Sequence, residues 1–111
     1  YVCNTRGDAV NRYDAGTGDF QSVFVAAGSG GLDGPVQLAF RPDGLLYVAA
    51  NATPRLLRFD AQSGSLVDAA VSRSQVSSNP TGFAFDDRGR MYVVCSESGQ
   101  VYRLEAAETA R

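Results

Sequence analysis

The chain has 111 residues, with ten basic and twelve acidic side chains, no histidine and a net charge of −2. This length suffices for one small hydrophobic core, and the mixed charge argues against a nucleic-acid partner, which needs a basic surface. Because the chain has no histidine, it cannot form a Ser-His or Cys-His catalytic pair. Because it has no run of eighteen apolar residues, we predict neither a membrane-spanning helix nor a membrane partner.

In chain order, alternating apolar runs predict ten short strands, because each run is closed by a turn signal. Two of them contain Phe40 and Phe85 and end at the hairpin turns 42–44 and 87–89, where glycine allows the positive φ of a tight turn. The other predicted strands are residues 1–3, 9–13, 20–26, 45–49, 56–59, 66–71, 90–94 and 100–104. Almost no helix is expected, since no long window has a helical period.

The sequence repeats itself at an interval of 45 to 46 residues. Six residues of the middle copy recur 45 positions later, namely Pro35, Ala39, Phe40, Gly44, Tyr47 and Val48. Every copy also holds a tyrosine and an arginine eleven positions apart, in the pairs Tyr1 and Arg12, Tyr47 and Arg58, and Tyr92 and Arg103. Such a period indicates supersecondary units that bury their apolar faces by stacking on each other.

Four antiparallel strands at this period predict the blade of a β-propeller, which makes the fold class all-β. We letter the strands of a blade a to d. Residues 1–26 are predicted to be strands b to d of a first blade, residues 34–71 a complete blade, and residues 79–104 strands a to c of a third, within one array over residues 1–111. Such a partial propeller leaves apolar flanks and unpaired edges. We therefore expect self-association, or cover from the rest of a longer propeller.

Particular residues of the repeat form a recognisable pattern. Pro80-Thr81-Gly82 precedes an apolar strand, Asp86 and Gly89 flank the first hairpin, Tyr92-Val93 opens the next strand, and the third strand of the middle copy ends in Phe59-Asp60. This pattern resembles the NHL-type propeller repeat over almost the whole chain. The resemblance implies a six-bladed ring that serves as an interaction module.

The sequence departs from the NHL pattern at two kinds of position. Gln37 stands where the glycine of the Pro-x-Gly motif is expected. The acidic residue that commonly follows the Tyr-Val segment is replaced in the three copies by Asn4, Ala50 and Cys95.

Four aspartates are the candidates for acid–base chemistry or Ca²⁺ binding: Asp43, Asp60, Asp86 and Asp87. All lie in or beside recurring turns, where aspartate accepts hydrogen bonds from backbone N–H groups. We therefore expect a structural role for them, and predict no enzyme activity, no metal site and no cofactor.

An enzymatic alternative comes from a second resemblance. Six-bladed lactonases of the gluconolactonase and paraoxonase kind share this blade pattern, and their metal-ligand asparagine commonly stands between proline and glycine before strand a. Val36 and Thr81 occupy that place here, and valine cannot ligate a hard cation. The alternative function is therefore a fragment of a divalent-metal-dependent lactonase-like hydrolase, with ligands outside this chain.

The two cysteines are predicted to be free. Cys3 and Cys95 belong to blades separated by a whole blade, whereas a disulfide needs Cα atoms within about 7 Å. Small buried thiols are the expected state of both residues.

The b-to-c and d-to-a connections differ most among the copies, and in a propeller they gather on one face. A rigid array with varied polar loops is typical of a binding scaffold. The predicted function is therefore non-catalytic binding of a protein, peptide or glycan. The predicted contact residues are Arg6, Asp8, Asp33, Asn51, Arg55, Arg73, Gln75 and Glu97.

Arg6-Gly7-Asp8 also matches the integrin-recognition tripeptide. A three-residue motif is weak evidence, and glycine between polar residues is ordinary in a turn.

Overall fold

The computed structural model describes residues 1–52, 56–71 and 80–104, except for the side chain of Val71. Ten strands occupy most of these residues, and the predicted all-β class is confirmed. Helix within the described ranges is limited to the 3-10 turn Ser29–Gly31, so none of it could cross a membrane. The strands are β1 Val2–Asn4, β2 Ala9–Tyr13, β3 Phe20–Val25, β4 Pro35–Phe40, β5 Leu45–Ala50, β6 Leu56–Asp60, β7 Leu66–Val71, β8 Gly82–Phe85, β9 Met91–Cys95 and β10 Gln100–Leu104.

The strands form three antiparallel sheets in which each strand pairs with its neighbour in sequence. β1 to β3 form the first sheet, β4 to β7 the middle sheet, and β8 to β10 the third sheet. The hairpins predicted after β4 and β8 are present, with Gly44 at φ 82° and Gly89 at φ 79°. β9 begins one residue later than predicted, because the Arg90 N–H donates to Asp86 Oδ1 (3.0 Å) and belongs to the turn.

The middle sheet lies between the other two and is buried on both faces. Successive side chains of a strand point to opposite faces, so in β5 Leu46 and Val48 pack toward the first sheet while Tyr47 and Ala49 pack toward the third. The core against the first sheet contains Val10, Val25, Leu32, Leu46, Val48, Ala50, Leu57 and Phe59. The core against the third sheet contains Tyr47, Ala49, Leu56, Ala70, Phe83, Met91, Val93, Cys95 and Leu104.

Both cysteines are free, as predicted. Cys95 is buried in the core against the third sheet. Cys3 is only half-buried, because it lies on β1 at the edge of the first sheet. This partial burial is still enough to raise the pKa of its thiol.

Candidate functional site

The candidate site is a group of three loops, which we call the loop end. It comprises residues 4–8, from the last residue of β1 to the start of β2, residues 26–34 between β3 and β4, and residues 51–52 after β5. Hydrogen bonds connect the first loop to the second and the second to the third. The three loops therefore form one surface, and this surface holds most of the described residues that the sequence predicted as contacts.

Asp8 joins the first loop to the second. Its Oδ1 accepts a hydrogen bond from the Gly34 N–H (2.9 Å), and its backbone carbonyl accepts one from the Gly28 N–H (3.0 Å). Among the described residues it is the only non-glycine residue with a positive φ, at 56°. Aspartate tolerates this left-handed conformation better than most residues. Asp8, which the sequence predicted as a contact residue, is thus half-buried and holds two loops together.

Gly34 joins the second loop to the third. Its carbonyl accepts a hydrogen bond from the Asn51 N–H (2.9 Å), and the neighbouring Asp33 carbonyl accepts one from the Ala52 N–H (3.1 Å). Gly34 has φ 71°, and a Cβ atom there would lie 3.3 Å from the Asn51 side chain. A larger residue at this position would therefore be strained and would press on Asn51.

Asn4 and Thr5 hold the beginning of the first loop. The Gly7 N–H donates to Asn4 Oδ1 (3.0 Å), which closes a local turn. Thr5 Oγ1 donates to the Pro35 carbonyl (2.8 Å) at the start of the middle sheet. The first loop is therefore anchored to the chain beyond it at both Thr5 and Asp8.

Apart from Asp8, the predicted contact residues fall into three groups. Arg6, Asp33 and Asn51 are exposed on the loop end. Glu97 is exposed in the turn between β9 and β10 of the third sheet. Arg55, Arg73 and Gln75 lie outside the described residues.

The Arg6-Gly7-Asp8 tripeptide lies within these contacts. Arg6 is exposed, but Gly7 and Asp8 are half-buried. One oxygen of the Asp8 carboxylate is engaged by Gly34 within the molecule. The tripeptide thus contributes to loop anchoring, which is the turn role that its composition indicates.

At the ends of the strands opposite the loop end, Asp43, Asp60 and Asp86 accept backbone hydrogen bonds in the turns, as the sequence predicted. Asp87, the fourth candidate, is exposed in the turn after β8. Asp60 Oδ1 accepts from the Gln62 and Ser63 N–H groups, and Asp43 Oδ1 from the Leu45 N–H. Hydrogen bonds from Ser63 and Gln62 lower the pKa of Asp60. These carboxylates are thus occupied by the turns that they close.

Asp86 accepts the largest number of hydrogen bonds among these turn aspartates. Its Oδ1 accepts from the backbone N–H groups of Arg88 and Arg90, and its Oδ2 accepts from Arg90 Nε (2.7 Å) and from the Tyr92 hydroxyl (3.2 Å). Desolvation by itself would raise the pKa of Asp86. The hydrogen bonds, led by that of the Arg90 side chain, outweigh this effect and lower the pKa to about 2.

The structure also places the two positions that a lactonase resemblance would assign to a metal ligand. Val36 is exposed on β4. The Thr81 hydroxyl donates to Ser96 Oγ (3.1 Å) and lies 3.5 Å from the Val94 carbonyl. Across residues 1–52, 56–71 and 80–104, no three Asp, Glu or Cys side chains are grouped closely enough to hold a metal ion.

The repeated tyrosine and arginine have a structural role that sequence reasoning missed. Tyr47 and Arg58 are cross-strand partners in the middle sheet. Arg58 is buried and forms two short bonds to the Asp68 carboxylate, at 2.6 and 2.5 Å, and its Nη1 lies 3.4 Å from the Tyr47 hydroxyl. The hydrogen bonds with Asp68 are the main cause of a raised pKa at Arg58. The spacing of eleven residues was the available signal, since it places the pair opposite each other in a hairpin.

Gln37 is a second residue whose role was missed. Its Nε2 donates to the Phe83 carbonyl (2.7 Å), and its Oε1 accepts from the Phe83 N–H (3.0 Å). The middle sheet is therefore joined to the third by a pair of hydrogen bonds at their adjacent strands β4 and β8. The departure from Pro-x-Gly marked the position but did not predict this bridge.

A comparison with known protein families, with curated protein sequences and with solved structures finds no match for this chain.

Proposed function

We propose that this chain is part of an NHL-like β-propeller and acts as a non-catalytic binding scaffold for a protein, peptide or glycan. Its contacts lie at the loop end, with Arg6, Asp33 and Asn51 as exposed members and Glu97 at the corresponding turn of the third sheet. The residues beyond the described ranges that belong to this proposal are Arg55, Arg73 and Gln75.

The observation that carries the proposal is the hydrogen-bonded connection of the three loops. Asp8 and Gly34 fix the loops relative to each other through the Asp8 carboxylate and through backbone groups, and Arg6, Asp33 and Asn51 are exposed on the surface that results. A surface held in advance loses less conformational entropy on binding than a flexible one. Exposed polar and charged groups on rigid loops suit hydrogen bonding to peptides or sugars.

The test uses an unbiased peptide display library and a glycan array, both probed with the intact chain. Retained ligands are then measured against a loop-end variant, Arg6→Ala/Asp33→Ala/Asn51→Ala. The matched control, Arg88→Ala/Asp87→Ala/Gln62→Ala, removes the same kinds of group from exposed positions in the opposite turns. We expect the loop-end variant to weaken binding at least about tenfold, or about 1.4 kcal/mol, and the control to leave it unchanged.

Two outcomes would contradict the proposal. One is the absence of any retained ligand on either platform. The other is a set of ligands whose affinity falls with the control variant but not with the loop-end variant. Retention on the peptide library alone or on the glycan array alone decides between the two ligand classes.

A calcium titration separates this proposal from the lactonase-like alternative. Because Val36 and Thr81 replace the family ligand, we expect no change of melting temperature in millimolar Ca²⁺. A site that binds only the folded state would add about 2.7 kcal/mol at 100 times its dissociation constant. A clear upward shift would favour the hydrolase, and Asp33, Asn51 and Thr81 would be the first positions to substitute.

A further inference from the structure

Each sheet has two faces that can be defined by the order of the chain. We call the face toward the preceding sheet the leading face and the opposite one the trailing face. In the middle sheet Val48 and Phe59 belong to the leading face, which packs on the first sheet. Ala49 and Leu56 belong to the trailing face, which packs on the third sheet. Both interfaces inside the chain therefore join a trailing face to a leading face.

The leading face of the first sheet carries the same kinds of residue but is exposed. Val2 and Tyr13 stand 46 positions before Val48 and Phe59. Val2 is 51% and Tyr13 37% exposed, whereas Val48 and Phe59 are fully buried. Val23, paired with Asn11 on the same face, is 52% exposed. This face thus exposes apolar side chains at three positions around Asn11, and the equivalents of Val2 and Tyr13 are buried in the middle sheet.

The trailing face of the third sheet is exposed in the same way. Val94 and Val101 stand 45 positions after Ala49 and Leu56. Val94 is 41% and Val101 64% exposed, whereas Ala49 and Leu56 are fully buried. Val94 and Val101 are cross-strand partners, so together they form an apolar pair on this face, next to the pair of Tyr92 and Arg103.

We propose that the leading face of the first sheet in one copy of this chain packs on the trailing face of the third sheet in a second copy. The two exposed faces are the repeat equivalents of surfaces that already pack on each other twice within the chain. The occupant is a second copy because each copy carries both halves of this interface. The association is head to tail, since both internal interfaces join unlike faces, and such an interface extends to rings or filaments.

Two single substitutions block one face each. Val23→Asp places a charge on the leading face and Val101→Asp places one on the trailing face, and a charge buried without a partner opposes association. Val67→Asp is the matched control, because Val67 is an exposed valine on β7, the edge strand of the middle sheet. Mass is measured by sedimentation at tens of micromolar, and far-ultraviolet spectra follow the folding of each variant.

We expect the unsubstituted chain and Val67→Asp to sediment as species larger than one copy, and each blocked variant to sediment as a monomer. An equimolar mixture of the two blocked variants retains one free trailing face and one free leading face. The mixture should therefore form a dimer with one copy of each variant, which also shows that both variants are folded.

Three results would overturn the proposal. A monomeric unsubstituted chain would show that the faces do not associate. Association of either blocked variant alone would show that like faces pair, or that another surface is used. Blocked variants that stay monomeric in the mixture would exclude head-to-tail packing of these two faces.

Discussion

The middle sheet and the first sheet contain the same repeated tyrosine and arginine, yet the arginine has a different environment in each. Opposite Arg58 in the middle sheet stands Asp68, which forms a short ion pair with it. Opposite Arg12 in the first sheet stands Ser22, and the buried Nε of Arg12 has no hydrogen-bond partner within the described part of the chain. The repeat thus determines where the arginine stands, and one neighbouring residue determines whether its charge is matched.

A second difference concerns burial. The middle sheet packs on both faces, whereas the first and third sheets each pack on one. Equivalent residues therefore differ in how much apolar surface they remove from water, and hence in their contribution to the free energy of unfolding. Substitutions at equivalent positions test this directly.

The largest effect is expected for truncation in the core against the third sheet. Leu56→Ala removes a fully buried side chain and should lower the free energy of unfolding by about 3 kcal/mol. Val101→Ala, at the equivalent position that a single chain leaves exposed, should cost the monomer less than about 1 kcal/mol. Urea unfolding of both variants, at a concentration low enough that sedimentation shows a monomer, measures the difference. Equal losses in the monomer would show that burial within the chain does not distinguish the two positions.

The next effect is expected for the buried arginine. Arg58→Ala leaves the Asp68 carboxylate without its partner. We expect a loss of about 2 kcal/mol, which is less than for a fully buried pair, because the Asp68 side chain is one-third exposed. Arg103→Ala, at the exposed repeat equivalent, should change the free energy of unfolding by less than about 0.5 kcal/mol. Similar costs in the two variants would mean that the ion pair contributes little.

A gain of stability is expected if the first sheet receives the missing carboxylate. Ser22→Asp places an acid opposite Arg12, in the register that Asp68 has with Arg58. Because Arg12 and Ser22 are both half-buried, we expect the free energy of unfolding to rise by about 1 kcal/mol, which is the upper end of the range for exposed ion pairs. Ser22→Asn is the uncharged control and should not reproduce the gain. Thermal unfolding measures the stability of both variants. A lower melting temperature for Ser22→Asp would show that the side chains at positions 12 and 22 do not meet as Arg58 and Asp68 do.

The smallest expected effect is a pH dependence in the third sheet. The pKa of Asp86 is about 2, below the ordinary aspartate value of 3.8. A lowered folded-state pKa means that the carboxylate stabilises the fold above the unfolded-state pKa and loses this effect as the pH falls through the folded-state pKa. The advantage of the unsubstituted chain over Asp86→Asn should therefore be complete above pH 4 and decline between about pH 4 and pH 2. A difference that does not change with pH would indicate that the charge of Asp86 is unimportant.

Most of the fold could be predicted because its signals are local. The period-2 apolar runs and the turn glycines identify ten strands, and the bounds of β2, β7 and β10 were predicted without error. The aspartates of the turns were also predictable, since aspartate binds the backbone a few residues along the chain. The contact residues were predictable only as exposed loop positions, and Asp8 shows the limit of that reasoning, because its bond partner Gly34 lies 26 residues away.

By itself, the sequence determined the strands, their order and the repeat, because these depend on alternation, turn chemistry and spacing along the chain. Only the tertiary structure decided that Gln37 bridges two sheets, that Asp8 joins two loops, and that Val48 is buried while Val2 is exposed. Those outcomes depend on which surfaces meet in space. Residues of the same type at equivalent repeat positions cannot reveal this, because the neighbour that buries or pairs with them belongs to another part of the chain.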